Sequence, residues 1–228
     1  MKSVAICIAT CNRNDMLARC LKSLTPAISS ISRYKVFVIV VDSNDAPSAE
    51  EVTLAFKGDF DVIYVWESRP GIPFARNASL DMALSEGADF IVFIDDDEWV
   101  EKSWLHSLLA SLDKNGVDVV SGAVIQKLGQ EEKVKRCLPS GVLRDRTETD
   151  NVIIKRWVAE SLKFDEAFAQ TGGSDTLFFR QAHEAGAVII SSDSAVVYEE
   201  MPDDRQSIKW RFRRHFRFGL MHCRTEKN

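Results

Sequence analysis

The stretch Phe90-Ile-Val-Phe-Ile-Asp95-Asp96-Asp97-Glu98-Trp99 constrains the fold more than any other part of the chain. Five apolar residues lead, without polar alternation, into three consecutive carboxylates. A short continuous apolar run fits a strand covered on both faces, as in a mostly parallel sheet. The carboxylates then fall at the C-terminal edge of that strand, where open α/β sheets bind their ligands. Three adjacent anions repel one another, so the cluster costs stability unless a cation sits among them. Oxygen-only ligands at Asp95 and Asp97 favour a hard divalent ion, Mg²⁺ or Mn²⁺, which in turn holds phosphates. The plainer alternative is a solvated acidic turn, and the rest of the chain bears on that choice.

Around this run, strand and helix patterns alternate. Val4–Ala9 reads as a buried strand, and Asp15 as the N-cap of a helix to about Thr25 that Pro26 stops. Tyr34–Asp42 and Asp61–Trp66 read as strands, with helices near Ser48–Phe56 and from Pro73 to Ser85, the latter closed by Gly87. A helix near Ser103–Lys114 and a fifth strand, Val117–Ser121, follow. Such alternation over residues 1–125 predicts a parallel, doubly wound sheet. Residues 126–150 are polar and charged and read as a long surface loop. Beyond it come Asn151–Lys155, a turn at Thr171–Asp175 opening a helix from Thr176 to about Glu184, and two short strands, Val188–Ile190 and Ala195–Tyr198.

Composition removes several function classes. A formal net charge of −5 argues against a nucleic-acid binder. Five cysteines without a CxxC pair, and four histidines without H-E-x-x-H spacing, suggest neither a disulfide framework nor a zinc site. No run approaches the length of a membrane span, so a cytoplasmic protein is expected. The 228 residues suit one large domain or one domain with an appendage.

The chemistry-bearing residues lie at strand ends. There is no G-x-x-x-x-G-K-[ST], and no G-x-G-x-x-G after the first strand. Instead Thr10, Asn12, Arg13, Asp42, Arg69, Arg76 and Asp95–Asp97 fall at or just past strand C-termini, which in a doubly wound sheet line one crevice. Asp42 is suited to accept N–H bonds from a nucleobase, and Arg69 and Arg76 to pair with phosphate oxygens.

Five segments then carry a resemblance. Ser3–Arg13, Val40-Val-Asp42-Ser43, Ala75-Arg76-Asn77, Phe93-Ile-Asp95-Asp-Asp97 and Thr171-Gly-Gly-Ser-Asp175 resemble, in order and spacing, the motifs of family 2 glycosyltransferases, across roughly residues 3–219. That group comprises inverting, nucleotide-sugar-dependent enzymes of GT-A fold. The likeness is greatest to bacterial enzymes of surface-polysaccharide assembly, including those building succinoglycan-type exopolysaccharide.

The resemblance implies roles by position. Thr10, Asn12 and Asp42 match positions that hold nucleobase and ribose, and Arg76 a basic residue near the donor. Asp95 and Asp97 match the ends of a D-x-D motif, with Asp97 the metal ligand and Asp96 near the ribose. Asp175 matches the catalytic base. Residues 1–125 correspond to the nucleotide-sugar-binding half and 126–200 to the acceptor-side half of the same domain. The implied partners are a nucleotide-diphosphate sugar and a glycan or lipid-linked acceptor.

The chain departs from the pattern at Ser174, where the family usually has Glu. Tyr198-Glu199-Glu200 stands where some relatives place a histidine, and Glu199 reads either as a strand-end charge or as a substitute contact. Within 201–228, Ser207–Leu220 carries five basic residues around the stripe Ile208, Phe212, Phe216 and Leu220, a basic amphipathic helix suited either to packing or to peripheral contact with an anionic membrane at its inner face. Two other functions share parts of this pattern: a sugar-phosphate nucleotidyltransferase, and a degenerate nucleotide-sugar-binding module.

Overall fold

The computed structural model describes residues 1–129 and 131–200. The basic segment Ser207–Leu220 lies outside the described residues. One ten-stranded sheet runs through the molecule. Its first half has the order β3-β2-β1-β4, formed by β1 Lys2–Thr10, β2 Tyr34–Asp42, β3 Asp61–Trp66 and β4 Phe90–Phe93, all parallel. The unbroken apolar runs follow from burial on both faces. Val4, Ile6 and Ile8 pack with α1 (Asn14–Ser29) and α4 (Trp104–Asn115), while Ala5 and Cys7 pack with α3 (Ile72–Ser85), α5 (Arg156–Ser161) and α6 (Ser174–Glu184). This is the expected α/β class. Because β1, β2 and β3 are in register at Thr10, Asp42 and Trp66, those residues end side by side on one edge.

The second half departs from a purely parallel plan. The expected fifth strand is β6, Val119–Leu128, but β9 (Val152–Lys155) separates it from β4 and runs antiparallel to both. Beyond β6 come β10 (Ile189–Glu200) in parallel and then β5 (Glu98–Val100) in antiparallel.

Several sequence expectations are corrected here. Residues 126–150 do not form one long loop: β6 and β7 (Glu131–Arg136) make an antiparallel hairpin, and β8 (Leu143–Arg144) pairs with β10. The hairpin was hidden because β7 is solvated along most of its length, leaving charge where an apolar alternation would normally signal a strand. The two short strands predicted near the end are one, β10, whose polar Ser191–Ser194 portion is a bulge. Helix α1 passes through Pro26 to Ser29, because burial of Leu24 and Ala27 outweighs the bond that proline cannot donate. Asp15 lies in the first turn of α1, and Arg13 is the capping residue. Helix α2 (Glu50–Leu54) is shorter than expected, and α5 was not anticipated.

Candidate active site

The site is built where β1 and β4 end side by side. After Phe93 the chain turns through Asp95–Asp97 and enters β5, with Glu98 closing the turn in both directions. Its backbone N–H donates to the Asp95 carbonyl at 3.2 Å, and its Oε2 accepts the Asp95 N–H at 2.9 Å. Asp96 points inward and is nearly buried, taking the Thr10 hydroxyl at 2.8 Å and the Arg13 guanidinium at 3.0 Å. Arg13 also reaches Asp97 at 3.3 Å, and Arg19 donates to the Asp97 carbonyl at 3.0 Å. Asp95 keeps 45% of its side chain exposed, with Arg76 at 4.0 Å. The chain's own arginines thus supply cations to the acidic turn.

Electrostatics follow from that arrangement. Burial raises the Asp96 carboxyl, offset in part by Arg13 and Thr10. Asp95, though one edge of its carboxylate stays open, is also raised by loss of surrounding water, opposed by Arg76 and reinforced by Asp97. Glu98 is fully buried and its Oε1 has no hydrogen-bond partner among the described residues; burial, then repulsion from Asp95, pushes it well above the usual carboxylate range.

Along the same edge, Asp42 is fully buried and saturated by its own surroundings. It accepts from Asn44 Nδ2 at 2.6 Å, the Ser48 and Ala49 N–H groups at 2.7 and 2.8 Å, and the Tyr64 hydroxyl at 2.9 Å. Burial would raise its carboxyl, but these donors, led by the two backbone groups, bring it below the ordinary value. Asp42 therefore organises the loop at 43–49. Asn12 is exposed in the left-handed region at φ 55°, and Trp66, half-exposed, donates its indole N–H to the Asn44 carbonyl at 2.9 Å. Arg69 is not drawn to the aspartates. Glu67 holds it through two bonds at 2.9 and 2.6 Å, with Glu166 at 3.5 Å and the Phe74 ring beneath it.

Asp175 is the second residue of α6, whose N-cap Gly173 takes a left-handed φ of 93°. Its Oδ1 accepts the Thr176 N–H at 2.8 Å, and the side chain is half-buried. Ser174 is buried with its hydroxyl unpartnered among the described residues. Helix α6 reaches the acidic turn through aromatic rings: Phe178 stacks on Phe164 at 4.3 Å, and Arg76, the partner of Asp95, lies 5.5 Å above Phe164.

Sequence reasoning missed a charged network on the far side of the turn. The β6–β7 ladder is irregular at Lys135, and Lys135 and Arg136 both reach Asp150, at 3.0 and 2.5 Å. Lys135 also meets Glu199 at 2.8 Å, so Glu199 is an internal ion pair. The only sequence signal was a pair of adjacent cations in a charged stretch. No group of three or more His, Cys, Asp or Glu side chains is gathered for a metal among the described residues. The exposed Asp95 and the adjacent Asp97 nevertheless fit an ion held by one or two carboxylates and completed by substrate phosphates, as is usual for Mg²⁺.

Residues 5–169 match the family described as Glycosyl transferase family 2. The chain is also 34% identical, over 98% of its length and 75% of the relative's, to the succinoglycan biosynthesis protein ExoM of Rhizobium meliloti. The chain belongs to glycosyl transferase family 2. This family-2 glycosyltransferase has the GT-A fold of solved relatives. Mannosyltransferase PcManGT from Pyrobaculum calidifontis, in complex with GDP-Man and Mn²⁺, superposes with a TM-score of 0.73 at 18% identity, covering 99% of this chain and 64% of that one. S. aureus TarS 1–349 in complex with UDP-GlcNAc gives 0.69 at 17% identity, covering 89% and 59%.

Proposed function

We propose that this glycosyltransferase moves a sugar, with inversion, from a nucleotide-diphosphate sugar to a glycan or lipid-linked acceptor in bacterial surface-polysaccharide synthesis, using Mg²⁺ or Mn²⁺. The carrying observation is the Asp95–Asp97 turn, clamped by Thr10 at the end of β1 and Arg13 at the start of α1, and paired with Arg76. A carboxylate turn surrounded by arginines suits an ion and a diphosphate together. The name of ExoM supports the polysaccharide context, and the ligands named for PcManGT and TarS support a nucleotide-sugar donor.

In this reading residues 1–125 bind the donor and 126–200 face the acceptor. Asp42 shapes the base-binding loop, with Thr10 and Asn12 beside it, and Asp96 stands by the ribose. Arg13 and Arg76 exchange their present carboxylate partners for phosphate oxygens, while Arg69 enters only by leaving Glu67. Asp97 and Asp95 would hold the divalent ion, which would supply charge stabilisation to the departing nucleoside diphosphate. Asp175 accepts the proton of the acceptor hydroxyl as it attacks the anomeric carbon from the opposite face. In this proposal the enzyme works in the cytoplasm at the inner membrane face; no helix among the described residues is long and apolar enough to cross a membrane.

Ser174 motivates the second reading, a nucleotide-sugar-binding module without transfer. Incubating the protein with UDP-glucose, UDP-N-acetylglucosamine or GDP-mannose separates the two. Metal-dependent release of UDP or GDP that stops with EDTA is expected of the enzyme. Binding without release, to water or to an added glycan acceptor, identifies the module, and release of sugar 1-phosphate together with UTP or GTP when pyrophosphate is added identifies a nucleotidyltransferase.

A further inference from the structure

Asn77 makes two buried bonds to a single residue. Its Nδ2 donates to the Phe164 carbonyl at 2.9 Å, and its Oδ1 accepts the Phe164 N–H at 2.8 Å. An amide side chain that takes both main-chain groups of one residue stands in for a strand neighbour and fixes that backbone in place. The Phe164 ring is fully buried and meets three elements at once. It lies edge-on to Phe93 at 5.7 Å, beneath Arg76 at 5.5 Å, and flat against Phe178 at 4.3 Å with 13° between the rings.

Each partner belongs to a different piece of the chemistry. Phe93 ends β4 two residues before Asp95. Arg76 is the cation beside Asp95. Phe178 lies three residues after Asp175, on the same side of α6. Ring packing is directional, so the flat contact fixes the rotation and height of α6 as well as burying surface. We propose that Phe164, held by Asn77, is the positioning residue that sets the spacing between the Asp95–Asp97 turn and the Asp175 carboxylate. The proposal rests on Asp175 being the base. A base must come within about 2.6–3.2 Å of the proton it takes, and a misplacement of about 1 Å costs roughly 10²-fold. Loosening Phe164 should therefore reduce transfer far more than donor affinity, because the turn and Arg13, which pairs with Asp96 and Asp97 away from the ring, still hold the donor.

The test uses Phe178→Leu, which removes the stack at modest volume change, and Asn77→Ala, which opens the clamp. UDP–Mn²⁺ affinity, amide exchange in α6, and nucleotide release from UDP-glucose, UDP-N-acetylglucosamine and GDP-mannose are measured well below each variant's melting temperature. Expected are affinity within about twofold, exchange of the Thr176–Phe178 amides at least about tenfold faster, and kcat about 10–100-fold lower at unchanged KM. Unchanged exchange together with unchanged kcat overturns the proposal. So does a parallel loss of UDP affinity, which marks a general loss of packing. Asp175→Asn, run alongside, isolates the underlying assignment. Full release by that variant rejects Asp175 as base, whereas its loss alone, with Phe178→Leu at parent exchange and rate, rejects only the spacing role.

Discussion

Trp104 donates its indole N–H to the Oδ1 of Asn151 at 2.8 Å, and neither side chain reaches solvent. Asn151 sits at φ 83° just ahead of β9, and its Nδ2 donates to the carbonyls of Ala123 and Ala195 at 2.8 and 2.7 Å. One amide thus joins α4, β6 and β10 where β9 enters the sheet. Gly122 is the counterpart, since a Cβ there would lie 2.1 Å from the Asn151 amide nitrogen. Asn151→Ala strands three buried polar groups in a backbone conformation that suits Asn better than Ala. Urea denaturation should show a loss of about 3–4 kcal/mol. A loss below about 1 kcal/mol would contradict this account of how the mixed half of the sheet is held.

A second prediction concerns Glu98. Its folded-state pKa lies above the unfolded value of about 4.3, so folding takes up a proton between the two. The parent's stability from this group is full below about pH 4 and declines as pH rises through the folded value. Glu98→Gln keeps the acceptor for the Asp95 N–H and removes the titration. Its melting temperature should exceed the parent's at pH 8, with the gap closing toward pH 4. An equal pH slope in the two proteins rules out Glu98 as the source.

Asp42→Asn leaves the Ser48 and Ala49 N–H groups and the Tyr64 hydroxyl competing for one neutral oxygen. The loop that follows should loosen, and UDP affinity should fall about tenfold, about 1.4 kcal/mol by titration calorimetry. Parent affinity would separate Asp42 from base binding.

How far the sequence reaches is seen at particular residues. The unbroken apolar runs fixed the four parallel strands to within a residue or two at most ends, and with them the shared edge of Thr10, Asp42 and Asp95–Asp97. Placement at that edge did not reveal what each side chain touches. Arg69 turned to Glu67 because that carboxylate lies two residues away, and Asp42 filled its acceptors from its own loop. The β6–β7 hairpin was illegible because its exposed strand carries charge instead of alternation. Asn77 lay in an expected helix, Phe164 in a stretch left without an element, and Glu98 at the end of the acidic run. Their roles depend on partners about 80 residues away or on a reciprocal turn bond.

Asp97→Asn should lower Mn²⁺-dependent UDP affinity by at least about tenfold, because the substitution removes a charge the ion needs. Calorimetric titrations with and without Mn²⁺ supply the comparison. Equal metal dependence in variant and parent would take Asp97 out of the metal site.

The transfer rate of Asp175→Asn, measured with donor affinity in the same preparation, bears most directly on catalysis. The amide preserves the shape of the carboxylate and its acceptor for the Thr176 N–H, so folding should be little changed. Nucleotide and metal are assigned to the Asp95–Asp97 turn and its arginines, so UDP–Mn²⁺ affinity should match the parent. Sugar transfer should fall by roughly 10²–10⁴-fold, the loss expected when a general base is removed. Transfer within a few-fold of the parent at equal donor affinity would contradict the assignment of Asp175 as the base.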